Sequence, residues 1–448
     1  MRKRKISGWV LLVGLALISS LTNAQNRTKH EFSIQQCIDY ANKNNVQVKN
    51  ALLNIQVQNQ TNRDITAAAL PSVTGNVSGN DYLQLPVSLL PGEFFGGSPG
   101  TFIPVRFGVK YNASATLQAQ QLLFDGQVFI GLQARKTSME FQTKNKEVTE
   151  EMIKTNIYKI YYQLVVSKTQ IDLLDANINR LSKLEHDTRE LYKNGFAEKL
   201  DLDKIAVQVA NLETEKLKAL NSIEMGYLGL KTLMGMPVND ILILTDQLQE
   251  DQITNDFTLD TAYNYSDRKE FQYLSLGKKL NEFNIKRYKL SYLPTVALSG
   301  SYTKNAQRNK FDFFGKGDWF TTSFIGLNVS IPIFDGFGRD ARIKKARFEL
   351  QQTENQIENL KLTIDNEVAQ SRLNFRTAIA TMNFQKKNMQ LAESVYNQTK
   401  KKYEVGTGSN TEITAAQTDL VIAQTNYVNA LYNAIIARVD YLKAIGKL

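Results

Sequence analysis

Apolar residues recur three and four positions apart through residues 126–192: Ile153, Ile157, Ile160, Leu164, Ile171, Leu174, Ile178 and Leu181, with Ser167 filling one slot. A mean step of 3.5 residues is the pattern of helices that pack as supercoiled pairs. No proline interrupts this stretch, so it predicts a single helix of about 100 Å at a rise of about 1.5 Å per residue. Ile343, Ala346, Leu350, Thr353, Ile357, Leu360 and Ile364 repeat the stripe in the second half of the chain. Return helices are predicted near residues 199–234 and 411–445. The last carries Ala416, Ala423, Ala430 and Ala434 at helical spacing, small residues that let a neighbouring helix approach closely.

Elsewhere the period is two. Val109, Tyr111, Ala113, Ala115, Leu117 and Ala119 alternate with Lys110, Asn112, Ser114, Thr116, Gln118 and Gln120. Ile325, Leu327, Val329, Ile331 and Ile333 alternate with Gly326, Asn328 and Ser330, and shorter alternations (Val73/Val77, Val296/Leu298) follow two prolines. Such strands put one face in an apolar phase and the other in water. A soluble sheet over a core has the same pattern, but here the polar side is Gln, Asn, Ser and Thr. Each run also lasts about 10 residues, the length of a tilted transmembrane strand. The linking stretches, Pro- and Gly-rich at 86–104 and aromatic and charged at 304–320, read as loops.

The same order of signals occurs twice. Ala69-Leu70-Pro71-Ser72-Val73-Thr74 returns as Tyr292-Leu293-Pro294-Thr295-Val296-Ala297, and Leu123-Phe124-Asp125-Gly126 as Ile333-Phe334-Asp335-Gly336. Leu191-Tyr192-Lys193-Asn194-Gly195, followed by Asp201-Leu202, returns as Lys402-Tyr403-Glu404-Val405-Gly406, followed by Glu412-Ile413. The interval from Phe124 to Gly195 matches that from Phe334 to Gly406 to within one residue, whereas the Pro-to-Phe interval differs by 13. Constant length marks rigid arms and variable length a surface loop. The chain therefore divides into a first repeat over 25–245 and a second over 246–448. Each comprises a helix, two strands and a long helical hairpin, and together they form one unit.

Composition places this architecture outside the cytoplasm. Arg2, Lys3, Arg4 and Lys5 precede an apolar run from Trp9 to Leu21 that ends in Thr22-Asn23-Ala24, the order of a secretory signal peptide over residues 1–24. Four of the ten net positive charges lie in residues 1–5, which leaves +6 for the rest. Lys and Arg are scattered along helical patterns beside Glu and Asp, so nucleic acid is not an expected partner. One cysteine, Cys37, excludes an internal disulfide framework and falls on an apolar helical position. Two histidines, His30 and His186, stand far apart without partners at ligand spacing. No Ser/His/Asp or Cys/His set, phosphate loop or metal cluster is visible, so neither an enzyme nor a cofactor is expected. An exported coiled-coil structural or adhesion protein explains the heptads but not alternating strands placed identically in both halves. A periplasmic adaptor would need an inserted Gly- and Val-rich β-domain.

Four strands per chain cannot close a barrel, and open edges are not tolerated in lipid. Several copies must share one barrel, and strands that begin and end where long helices do should lead that barrel into a helical tube. The opening helix Phe32-Ser33-Ile34-Gln35-Gln36-Cys37-Ile38-Asp39-Tyr40-Ala41, the strand starts Leu70-Pro71 and Leu293-Pro294, and Tyr403-Glu404-Val405-Gly406-Thr407 with the helix after it resemble those of the TolC-like outer membrane efflux protein family. The resemblance covers nearly the whole chain after residue 24. It implies a mostly α fold with transmembrane β: a homotrimer whose 12-stranded outer-membrane β-barrel, set in lipid, continues into a long periplasmic α-helical barrel. It also implies an exit duct for efflux or type I secretion that docks a periplasmic adaptor and an inner-membrane pump.

By the same resemblance, the hairpin turns at Gly195 and Gly406 are periplasmic tips that close the duct. Tyr403 falls on the family's gate tyrosine, Asp201 on its partner acid and Glu412 on an acid that rings the pore. Gly408 stands where an arginine often completes the gate network, and Ala415 where a second pore acid can occur. Capping is the competing reading of the acids, since carboxylates favour the first turn of a helix.

Overall fold

The computed structural model describes residues 28–246, 262–315 and 317–448; the leader expected over 1–24 lies outside them. In chain order the elements are β1 (Lys29–Phe32), α1 (Ile34–Asn44), α2 (Val46–Ala67), β2 (Ser72–Asp81), β3 (Val87–Pro91), β4 (Phe102–Arg106), β5 (Tyr111–Phe124), α3 (Gly126–Lys193), α4 (Lys199–Met234), β6 (Ile241–Leu244), α5 (Lys269–Leu290), β7 (Thr295–Arg308), β8 (Phe320–Ser330), α6 (Gly338–Glu404) and α7 (Asn410–Ala444). The two long helices have 68 and 67 residues, as the unbroken heptad stripes predict. The chain forms two compact units, each drawing on both halves of the sequence.

The helical unit combines the chain up to Asn54 with Thr143–Tyr273 and Ile357–Leu448. A parallel pair, β1 with β6, joins Lys29 to Ile241 and Phe32 to Leu244. Beside it Cys37, Ile38, Val48, Ile157, Tyr161, Leu230 and Met234 form a core from which water is excluded. Burial pushes the Cys37 thiol up to about 12, so it stays protonated and packs as a small apolar group. Tyr161 ties the core to the strand, donating to the Phe32 carbonyl at 3.2 Å. A second core packs Ile364, Val368, Phe375 and Met382 of α6 on Ala430, Ala434, Ile435 and Tyr441 of α7. Ala416, Ala423, Ala430 and Ala434 are all buried, so the small-residue spacing marks a close helix contact.

On α3 the stripe read in sequence buries Ile153, Ile157, Leu164, Leu174 and Leu181, with two local departures. Tyr161 and Asn177 are buried while their neighbours Ile160 and Ile178 are half-buried. At the start of the second half, Arg268 is 4% exposed and donates to Glu367 at 2.9 Å and to the Ala444 carbonyl at 3.1 Å. That one guanidinium ties the start of α5 to α6 and to the end of α7.

The sheet unit combines Ile55–Gln142 with Leu274–Gln356. Its four-stranded sheet has the order β2-β5-β7-β8 with every pair antiparallel. The register sorts most side chains by chemistry, with Phe320 and Phe324 on the polar face and Gln121 and Ser323 on the apolar one among the exceptions. Val73, Val77, Leu117, Ala119, Leu298, Tyr302, Ile325 and Leu327 share one face, and Thr74, Asn76, Ser114, Thr116, Gln118, Ser301 and Thr303 the other. On the polar face hydroxyls pair across strands, Ser78 with Ser114 at 2.7 Å and Thr116 with Thr303 at 3.1 Å. The apolar face lies open: Val77 is 87% and Ile325 83% exposed. Among the described residues, β2 and β8 each lack a partner on their outer side. No helix among the described residues is long and apolar enough to cross a membrane.

Several boundaries differ from expectation, and residues 304–308, read as loop, are the end of β7. Residues 86–104, read as loop, contain the β3–β4 hairpin, paired from Val87 with Arg106 to Pro91 with Phe102. The run expected to alternate through Ile333 ends at Ser330, because Pro332 has no N–H for a ladder. Helix packing in this unit is polar as well as apolar: Asn62 donates to the Arg135 carbonyl at 3.1 Å, and Asn281 to Thr353 at 2.8 Å.

Candidate functional site

Both long helices end in the same way. The residue that reverses each has positive φ, 80° at Gly195 and 78° at Gly406, which costs glycine nothing. Gly195 donates to the Tyr192 carbonyl at 3.0 Å and Phe196 to that of Leu191 at 2.8 Å, a Schellman-type closure. At the second turn Gly406 donates to the Tyr403 carbonyl at 3.1 Å, and Thr407 and Gly408 both donate to Lys402 at 3.0 Å. The backbone at Gly408 lies so near that helix end that a Cβ would stand 3.1 Å from Lys402 Cβ and from the Tyr403 nitrogen. A side chain there requires the turn to shift.

The next helix is capped by the acid that the resemblance places in the pore. Glu412 donates its N–H to Ser409 Oγ at 3.2 Å and accepts the Ser409 N–H on its carboxylate at 3.4 Å, a capping box. The residue is exposed, so the cap leaves its charge in water.

Tyr403 and Asp201 are both half-buried, but each meets a different partner. The Tyr403 hydroxyl lies 3.3 Å from Thr188 Oγ1, a buried residue of α3, and its ring packs beside Tyr396, Ile413, Ala416 and Leu420. Asp201, in the first turn of α4, accepts on its backbone carbonyl from Asn410 at 3.3 Å. Among the described residues no hydrogen bond joins Tyr403 to Asp201 within one chain. A groove of 410 Å³ runs beside Tyr403, lined by Arg180, Asp187, Glu190, Tyr396, Glu404 and Ile413.

Behind the tips lies a polar cluster that the sequence reading passed over. Asn177 is 1% exposed. Its Oδ1 accepts from Gln417 at 2.8 Å and from Arg180 at 2.6 Å, and its Nδ2 donates to Gln424 at 2.8 Å. Arg180 in turn stands 5.7 Å from the centre of the Tyr396 ring. Burial raises the Tyr396 phenol above its usual value, and the Arg180 cation partly offsets this. Two helices, α3 and α7, thus meet on one amide, and Arg180 carries the cluster on to Tyr396 of α6. The signal was a polar residue three after Leu174 and four before Leu181, a core position of the heptad.

Long helical hairpins with glycine-turned tips, joined in sequence to a sheet with one apolar and one polar face, define a channel-forming class of protein. Residues 284–447 match the family described as outer membrane efflux protein. The chain is 21% identical over 355 residues to outer membrane protein TolC of Escherichia coli strain K12, covering 76% of this chain and 71% of that protein. It is 21% identical over 450 residues to outer membrane efflux protein BepC of Brucella suis biovar 1, covering 99% and 89%. In structure it resembles the outer membrane protein VceC from Vibrio cholerae with a TM-score of 0.71 and 16% identity, over 92% of this chain and 96% of that one. The chain thus has the fold of the TolC-like outer-membrane channels, and its second half matches the outer membrane efflux protein family.

Proposed function

We propose that three copies of this chain form an outer-membrane exit duct, which passes small molecules or proteins from an inner-membrane pump to the exterior. The observation that carries this reading is the sheet: four strands, an uncovered apolar face, and unpaired edges at β2 and β8. Lipid does not tolerate open strand edges. Pairing β8 of one copy with β2 of the next, three times round, gives twelve strands and no edge. Relatives named for the outer membrane and for efflux support the location and the transport role. The chain acts as a channel and not as an enzyme.

The two repeats, 25–245 and 246–448, each supply one strand pair and one hairpin to this duct. The tips at Gly195 and Gly406 form its periplasmic aperture, with Tyr403, Asp201 and Glu412 around the opening. Gly408 leaves the aperture without the arginine of relatives. A periplasmic adaptor docks on this end and connects the duct to its pump. The half-burial of Tyr403 and Asp201, side by side with the reversals in sequence, supports a role there.

The particle mass of detergent-solubilised protein tests the assembly: three chains are expected, and a stable monomer with channel activity overturns it. Tyr403→Ala, which removes the ring and its bond to Thr188, should raise single-channel conductance. Unchanged conductance with normal assembly would move the gate elsewhere.

A further inference from the structure

The apolar face of the sheet is not uniform. Two adjacent rows cross it in register: Gly75, Leu117 and Tyr302, then Val77, Ala115 and Lys304. Gly75 and Ala115 contribute almost no side chain, so the face sinks into an open trough of 480 Å³, bounded by Leu117, Tyr302, Lys304 and Trp319. A Cβ built on Gly75 would meet only Leu117 Cδ2, at 3.6 Å. The hollow is therefore an absence of side chain and not a turn of the backbone.

Charge singles out one residue on this face. Of its charged residues, Arg308 is paired with Asp312 at 3.0 Å and Asp81 with Lys110 at 3.9 Å. Lys304 is exposed and makes no ion pair among the described residues. A lysine lays its alkyl stem on apolar surface and keeps its ammonium in the polar layer. Lys304 stands nine residues along β7 from Thr295. At about 3.3 Å per residue and a tilt of about 40°, that is roughly 23 Å of height, close to the roughly 25 Å of a barrel's apolar band. β7 begins just after α5 and ends at the loop before β8, so Lys304 lies at the outer interface. Trp319 is beside it, a residue type that favours that level.

We propose that this trough is a binding site for an outer-leaflet lipid with an anionic head group. One acyl chain lies over Gly75, Ala115 and Leu117 between Tyr302 and Val77, and the head-group phosphate meets the Lys304 ammonium. The site rests on the reading of the sheet as part of an outer-membrane barrel. It gives the duct a fixed lipid at its outer rim on each copy.

Trp319 is the one tryptophan besides Trp9, so its fluorescence reports occupancy, with a Trp319→Phe variant as the background. The full chain is reconstituted in phosphatidylcholine vesicles carrying a minor share of dibrominated phosphatidylglycerol or of dibrominated phosphatidylcholine. A single lysine near a charged lipid surface favours the anionic lipid by about five-fold, and quenching by the brominated phosphatidylglycerol should exceed that by the brominated phosphatidylcholine to a similar degree. Lys304→Gln should remove the excess by deleting the charge, and Gly75→Leu by filling the trough. Equal quenching by both lipids in the unaltered chain overturns the site while leaving the sheet in the membrane. A preference that survives both substitutions also overturns it. Quenching by neither lipid overturns the barrel reading itself.

Discussion

Asn177 of α3 takes a hydrogen bond of 2.8 Å from Gln417 of α7 on an amide that is 1% exposed. Gln424, seven residues further along α7, takes the other end of the same amide at 2.8 Å. Two glutamines one heptad apart thus hold a single asparagine between them. An apolar seam can slide by a turn at modest cost, but a buried amide with two fixed partners is satisfied in one register only.

Asn177→Ala should therefore cost about 2 kcal/mol, the penalty for leaving buried polar partners without bonds. The denaturation midpoint of the solubilised protein measures this. Replacing Asn177, Gln417 and Gln424 together by leucine should recover most of the loss, since apolar groups of similar size leave nothing unsatisfied. A triple variant no more stable than Asn177→Ala would mean that the amides do more than satisfy one another.

The reversals carry strain that only glycine avoids. Gly406→Ala and Gly195→Ala put a Cβ on residues with φ of 78° and 80°, and each should destabilise its tip by about 1 kcal/mol. No atom crowds either position, so the cost is conformational, and asparagine should be tolerated better than alanine. Equal melting of the alanine and asparagine variants would contradict this. At Gly408 the reason differs, because there a Cβ presses on Lys402 and Tyr403.

These turns were legible because they are local. A glycine, a helix stop and a capping Ser409–Glu412 pair lie within a few residues, so the sequence places the helix ends to within a residue at Met234 and Asn410. β5 and β8 were legible for a similar reason, being long runs of period two, and β2 and β7 showed as shorter alternations after their prolines. What escaped is non-local or short. β1 and β6 pair across 212 positions, and four residues apiece give no periodicity to read. The β3–β4 hairpin carries Pro91 and Pro104 in its strands, which reads as loop although prolines sit on unpaired sides. That Tyr161 and Asn177 take two of the core positions was hidden by Ile160 and Ile178, more apolar neighbours that fit the stripe. Of the tip residues, sequence order brought Tyr403, Asp201 and Glu412 to the reversals. It did not reveal that Tyr403 bonds Thr188 and Asp201 meets Asn410.

Glu412 serves as a cap in the structure and as a pore charge in the proposed duct, and one substitution separates the two. Gln keeps the acceptor that takes the Ser409 N–H but loses the charge. Glu412→Gln should leave the unfolding midpoint within a few tenths of a kcal/mol, while cation preference in planar bilayers falls, because three like charges about one axis reinforce each other. Glu412→Ala should lose the cap as well, at about 1 kcal/mol. A reversal potential that stays unchanged in Glu412→Gln would leave the residue a helix cap only.

Glu151 gives the helical unit a pH dependence of opposite sign to that of most acids. It is 4% exposed, its Oε1 lies 3.8 Å from the Lys269 ammonium, and its Oε2 has no hydrogen-bond partner among the described residues. Burial raises its carboxyl above the ordinary 4.5. The Lys269, Arg268 and Lys443 cations pull it back, and Glu270 adds to the rise. An acid with a folded value above its unfolded one binds a proton more tightly when folded. Its contribution to stability is therefore fully present below about 4.5 and is lost as pH rises through the folded value. Glu151→Gln holds the side chain in its neutral form at every pH. At neutral pH the variant should be at least as stable as the parent chain, and its advantage should shrink as the pH is lowered toward 4.5. Urea midpoints of both proteins across that range measure the difference. A variant that is less stable than the parent at pH 7, with the gap closing on acidification, would mean that the Lys269 pairing outweighs the desolvation of the carboxylate.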